Sequence, residues 1–376
     1  MFDDIRPYTD AEIPAAMHRI AEDPYFVPVC SFLFPGEDIR KTADILRSCQ
    51  SVYDFQTKFM YPAVTSIIKN TTGGVTIDGL EHLSADKSYL FISNHRDIVL
   101  DAAILQILLA DADLPTSEIT FGANLMTSQF IVDIGKSNKM FRVERPTTVA
   151  SGRELLQKSA YLSGYIRHTI KNKHESIWIA QRNGRTKDGN DLTDRGIITM
   201  LCQSGTDNRV ESLAELNIVP LSISYEWEPC DILKSLEMSK RSAYEPYIKR
   251  PGEDLQSILT GITQQKGRIH FSVGRCITTD DLSGLSGLSK GDFTRAVANM
   301  IDRWIQSSYM LFPNNYIAYD ILNDQVSDNY TEVERQSFLK HLSLLEKYPD
   351  FEATRQILLK IYATPLINRA NCIYNL

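Results

Sequence analysis

Between Val75 and Val273 the chain alternates short apolar runs with longer stretches of helical spacing, and few architectures accept that rhythm. Val75-Thr76-Ile77 alternates as a short strand, and Tyr89 to Ser93 is a compact buried run. Glu118 to Phe121, Met140 to Val143, Ser176 to Ala180, Ile218 to Tyr225 and Arg268 to Val273 read as further strands. Helical spacing covers Asp97 to Ala110, Val149 to Lys171 and a stretch from about Asp194. Strands that alternate with helices of this length predict an α/β fold, a mostly parallel sheet flanked by helices on both faces.

The two ends follow other rules. Residues 1 to about 72 read as helical and irregular, punctuated by Pro7, Pro14, Pro24, Pro28 and Pro35. Ile39 to Ile68 has helical spacing with a kink or boundary expected at Tyr61-Pro62. The Gly/Ser-rich run Leu282 to Asp292 ends in a Ser289–Asp292 capping pattern. Beyond it Phe293, Val297, Met300, Ile301, Trp304 and Ile305 recur as a helical stripe that reads as core, and Thr331 to Ile361 is again helical. The expected division is a helical N-terminal region (1–72), a central α/β domain (73–280) and a helical C-terminal extension (281–376).

Composition removes several classes of function. In 376 residues, 43% hydrophobic and 23% charged, 40 Lys+Arg face 47 Asp+Glu, a balance unlike that of a generally basic nucleic-acid binder. The longest apolar run, Ala102 to Ala110, falls far short of the roughly 18–20 residues a membrane span needs. The acidic, proline-broken start is not that of a secretory signal. Six scattered cysteines without a CxxC pair read as reduced intracellular thiols, and seven scattered histidines show no metal spacing, so no metal is expected. These readings predict a cytoplasmic globular protein. Charge is nevertheless uneven. Gly122 to Arg195 holds 13 Lys+Arg and 7 Asp+Glu, an excess that marks a candidate anion site.

The local feature richest in chemistry is Ser93-Asn94-His95-Arg96-Asp97-Ile98-Val99-Leu100-Asp101, where a buried strand ends and a helix opens. Carboxyl ends of parallel strands are where α/β folds bind ligands. A histidine there, with Asp97 and Asp101 downstream, has the parts of a general base held in one tautomer. Asp97 also fits a helix N-terminus, where the dipole alone favours it. The triplet His95-Arg96-Asp97 is not a kinase catalytic loop, because position 102 is Ala where that loop needs Asn.

On these residues the sequence resembles the glycerolipid acyltransferases, which pair an Asn-His with an Asp downstream. Lys139-Met140-Phe141-Arg142-Val143-Glu144-Arg145 is similar to the family's Phe-Ile-x-Arg block, with Arg145 in the Arg position. Trp178-Ile179-Ala180-Gln181-Arg182-Asn183-Gly184-Arg185-Thr186-Lys187 is similar to its Phe-Pro-Glu-Gly-Thr-Arg-Ser block. Ile218-Val219-Pro220-Leu221 resembles the Val-Pro-Val strand, and Gly274-Arg275-Cys276-Ile277 the Gly-x-Pro-Ile segment. Order and spacing agree over about residues 75–280. Two positions depart. The family's Asp lies five residues after His, where this chain has Leu100; Asp101 comes one later and is the expected partner, since one extra residue in the strand-to-helix turn costs less than relocating the carboxylate, with Asp97 the competitor. Asn183 stands in the family's Glu position, with Gln181 the other candidate there.

The resemblance implies an O-acyltransferase of phospholipid synthesis. It would move a fatty acyl group from a CoA or acyl-carrier-protein thioester to a glycerol-3-phosphate or 1-acylglycerol-3-phosphate hydroxyl. His95 would be the base, Asp101 or Asp97 its partner, and Arg145 and Arg185 the phosphate clamp, with Arg142, Lys187, Asn183 and Gly184 beside the substrates. The thioester is a cosubstrate and no cofactor is expected. A membrane surface is the implied partner, with the protein peripheral to the cytoplasmic membrane face. The alternatives are an O-acyltransferase for a hydroxyacyl amino-acid lipid and a silent lipid- or acyl-carrier-binding homologue.

Overall fold

A computed structural model describes residues 2–144, 151–241 and 247–374. Seven strands form one sheet: β1 (Gly74–Asp78), β2 (Leu90–Ser93), β3 (Glu118–Gly122), β4 (Met140–Val143), β5 (Ile177–Ala180), β6 (Ile218–Tyr225) and β7 (Arg268–Val273). Their order is β1-β7-β6-β2-β5-β3-β4. The five strands from β6 to β4 run parallel, whereas β7 is antiparallel to β6 and carries β1 parallel to itself. Each expected strand is present, and the sheet is mostly parallel.

Burial explains the apolar patterns. All eight residues of β6 are buried, because the strand is central and covered on both faces. Edge strand β1 instead alternates between half-buried and exposed. On one face Ile92, Ile179 and Ile218 join Tyr165 and Ile166 of the helix Gly152–His168 in a common core. Phe293, Val297, Ile301 and Ile305 of the helix Lys290–Ser307 complete it, so the apolar stripe is core and packs on the sheet from beyond residue 280. On the other face Phe91, Trp178 and Val219 meet Leu100, Ile104 and Leu105 of the helix Leu100–Asp111. The N-terminal helices and the C-terminal helices each add a separate apolar cluster.

Several expected boundaries shift for local reasons. The stretch from Ile39 breaks after Arg47, restarts at Val52 under a Ser51 cap and passes through a π-turn, Gln56–Met60, immediately before Pro62. The expected break at Tyr61-Pro62 is a boundary: the helix Tyr61–Thr71 opens there, with Pro62 in the first turn, where its missing N–H costs no ladder bond. The helix expected from Asp97 starts at Leu100, because Asp97 Oδ1 accepts the Val99 and Leu100 N–H groups at 2.8 Å each. The helix read from Val149 is seen from Gly152, capped by Ser151; its first expected residues lie outside the described ones. The C-terminal stretch is two helices, Glu332–Ser343 and Phe351–Tyr374, with Pro349 in the gap. Among the described residues no helix is long and apolar enough to cross a membrane.

Candidate active site

The site begins where β2 stops pairing by backbone. Asn94 continues the ladder with its side chain: its Nδ2 donates to Ile223 O at 2.9 Å and its Oδ1 accepts Ile223 N–H at 2.8 Å. The main chain is thereby released to turn, and His95 emerges at the carboxyl edge of the sheet. Its side chain is 14% exposed, and its ring meets Trp178 of β5 edge-on, with 5.7 Å between centroids.

Asp101, in the first turn of the following helix, reaches back to this ring. His95 Nδ1 lies 2.9 Å from Asp101 Oδ2. The same oxygen accepts the Arg96 N–H at 2.6 Å and the Asp97 N–H at 3.0 Å, while Oδ1 accepts the Tyr225 hydroxyl at 2.8 Å. Burial and the nearby Asp101 charge hold the Tyr225 phenol far above its ordinary value, so it stays a donor. A carboxylate acceptor at Nδ1 places the ring proton there and leaves Nε2 as a free acceptor. The extra residue between His95 and its partner is accommodated in the turn 96–99, which Asp97 caps. Asp97 itself is fully buried and not bonded to His95. Desolvation, then the Asp101 charge, push its carboxyl upward, and its Oδ2 has no hydrogen-bond partner. Of the two candidate carboxylates, geometry brings Asp101 to the histidine and Asp97 to the helix cap.

The Trp178–Lys187 block wraps across this turn, with the Thr186 N–H donating to His95 O at 2.9 Å. Gly184 takes a φ of 76°, a left-handed turn that favours glycine. Asn183 is exposed, whereas the Gln181 amide is buried with neither end hydrogen-bonded. Arg185 is 9% exposed and its Nη1 is likewise unpartnered. Lys187 is held by Glu237, and burial lowers its ammonium to about 8. Arg142, an exposed residue of edge strand β4, pairs with Glu144 at 2.6 Å, three strand positions from β2 in the sheet. At about 4.8 Å per strand this is some 14 Å away, so the structure does not bring Arg142 to His95. Arg145 lies outside the described residues.

Other residues at the site escape motif reading. Tyr225 ends β6, and its position at the carboxyl end of a parallel strand is the signal that could have found it. Arg96 is 1% exposed and pairs with Asp191 and with Glu228, the latter at 3.0 Å. Glu228 also pairs with Lys234. Pro220 lies where the antiparallel ladder with β7 ends at Leu221–Val273, so its missing donor disturbs little. Among the described residues no group of three or more His, Cys, Asp or Glu is arranged to hold a metal ion.

Residues 74–224 match the family model for the Acyltransferase domain, from the first residue of β1 to the penultimate residue of β6. No curated protein matches the chain. Among solved structures, the 1-acyl-sn-glycerophosphate (LPA) acyltransferase PlsC from Thermotoga maritima is similar at 13% identity and a TM-score of 0.37. That alignment covers 78% of this chain and 94% of that one. The matched segment contains His95, Asp101, Tyr225's neighbour Ser224 and the whole Trp178–Lys187 block. Residues 74–224, which carry the His95–Asp101 pair, are thus similar to the Acyltransferase domain.

Proposed function

We propose that this protein moves a fatty acyl group from a CoA or acyl-carrier-protein thioester to a glycerol-3-phosphate or 1-acylglycerol-3-phosphate hydroxyl at a membrane surface. The observation that carries the reading is the 2.9 Å bond between His95 Nδ1 and an Asp101 carboxylate fixed by three further donors. In this scheme the acceptor hydroxyl gives its proton to His95 Nε2 as its oxygen attacks the thioester carbon. Asp101 stabilises the imidazolium, and collapse of the tetrahedral intermediate breaks the C–S bond and expels the thiolate, which receives that proton from the imidazolium. Direct transfer is the simpler route. The chain has no GxSxG elbow, and in the described hydrogen bonds no cysteine sulfur meets a histidine.

Arg185 supports the phosphate clamp through its unpartnered guanidinium nitrogen, with Arg145 assigned beside it by the motif. Lys187 and Arg142 have carboxylate partners, so each would have to exchange one for a substrate phosphate. That pairing, with the neutral exposed Asn183, favours a second reading in which the acceptor is a hydroxyacyl amino-acid lipid. The deciding experiment offers purified protein both donor types and all three acceptors, and identifies products by mass spectrometry. Acylated glycerol phosphate supports the first reading, acylated amino-acid lipid the second. Absence of any product with every pair identifies a silent binding homologue.

A further inference from the structure

The residue beside the histidine is a fully buried arginine whose partners come from elements distant in the chain. Its guanidinium donates to Asp191, in the loop after β5, and to Glu228, just past β6, at 3.0 Å. Its charged carbon lies 5.1 Å from the centre of the Tyr309 ring, in the segment joining the helices Lys290–Ser307 and Pro313–Asn323. The Arg96 carbonyl accepts the Lys234 ammonium at 2.8 Å, and Lys234 also binds Glu228 at 2.5 Å. Two cations and two carboxylates thus close on themselves inside the protein.

The C-terminal helices hold this cluster from outside. The Gln306 amide donates to Asp191 O at 2.8 Å, and Arg369 donates to Tyr309 O at 3.0 Å. The Glu228 N–H donates to the Tyr362 hydroxyl at 3.0 Å. On its other side Arg96 donates its backbone N–H to the Asp101 oxygen that holds His95. The guanidinium cluster and the His95–Asp101 bond therefore share one residue of a short turn.

We propose that Arg96 is a positioning residue: clamped by Asp191, Glu228 and the Tyr309 ring, it holds the turn in the one conformation that keeps Asp101 on His95 Nδ1. The C-terminal helices are then part of the acyl-transfer machinery. Deleting the cation leaves two buried carboxylates against one lysine, and their repulsion would displace the turn. A displacement near 1 Å at a catalytic group costs about 10²-fold in rate. The proposal rests on the reading of His95 as base, and its test separates the two.

The experiment compares Arg96→Lys, Arg96→Met and Tyr309→Leu with the native protein, in full-length form. It measures kcat, both KM values and the NMR signal of the His95 Nδ1 proton, assigned by its absence in His95→Gln. Expected is a ten- to hundredfold fall in kcat for Arg96→Lys and Tyr309→Leu, both KM values within about twofold of native, and a displaced Nδ1 proton signal. Arg96→Met is expected to be worse than Arg96→Lys; if it does not fold, Tyr309→Leu carries the same comparison. Native kcat with an unmoved signal overturns the proposal, as does a kcat loss that only follows the folded fraction. If His95→Gln itself turns over normally, the reading of His95 fails, and the proton signal still decides whether Arg96 sets the His95–Asp101 bond.

Discussion

Replacing each of the two buried aspartates by asparagine separates their roles. Asp101 Oδ2 accepts from His95, Arg96 N and Asp97 N, and its Oδ1 accepts from Tyr225. In Asp101→Asn the amide oxygen can keep the inner position while the amide NH2 faces Tyr225, whose hydroxyl can turn to accept. The fold should therefore survive, but the negative charge opposite the imidazolium is gone. A hydrogen bond to a charged group contributes about 1.5–3 kcal/mol, which is roughly ten- to more than a hundredfold in rate. If the amide rotates and presents NH2 to the ring, the wrong tautomer follows and the loss approaches about 10⁴-fold. Asp97→Asn keeps an oxygen for the Val99 and Leu100 N–H groups, and it replaces a carboxyl that burial already drives toward its neutral form. Its turnover should stay within about threefold of native. The assay is the initial rate of thiol release with acceptor present, alongside thermal unfolding of both variants. A larger loss in Asp97→Asn than in Asp101→Asn refutes the assignment of Asp101 as the orienting carboxylate.

Three further outcomes are expected. Asn183→Glu should reorder the three acceptors without abolishing turnover, read as initial rates; an unchanged ranking removes Asn183 from the acceptor site and makes Gln181 the candidate. Arg145→Ala should raise KM for a phosphorylated acceptor about ten- to a hundredfold more than KM for the donor, the loss of a charge-assisted phosphate contact. Asp302, buried beside Thr193, has its carboxyl raised to about 6, by burial first and by Asp191 in addition. A raised carboxyl binds its proton more tightly in the folded state, so its stabilising effect is full below about 3.8 and is lost as pH rises through 6. Asp302→Asn should therefore raise the melting temperature at pH 8, by up to about 3 kcal/mol of stability, and the gain should vanish by pH 4; equal gains at both values would contradict this.

The strands were legible because each is a short apolar run between breakers, and β2 and β6 are buried on both faces. His95 was legible from its place at a strand end. Asp101 was the expected partner and is the one that meets it, but Asp97 stayed a competitor because spacing along the chain does not say how a turn closes; the cap made by Asp97 decides that. The cluster around Arg96 joins residues 95 and 132 positions apart, and no local period encodes such a pairing. Lys187 likewise looked free for a phosphate, and its partner Glu237 lies 50 residues away. The π-turns seen among the described residues, Gln56–Met60 and Thr169–Lys173, have no signature in apolar spacing.

Removal of the acceptor's proton by His95 is tested by mass spectrometry of products formed by native protein and by His95→Ala. The assay uses acyl-carrier-protein and CoA donors with glycerol 3-phosphate and 1-acylglycerol 3-phosphate. Expected are an ester product from the native protein and a rate about 10²–10⁴-fold lower from a variant that is still folded. Near-native product formation by folded His95→Ala would contradict it.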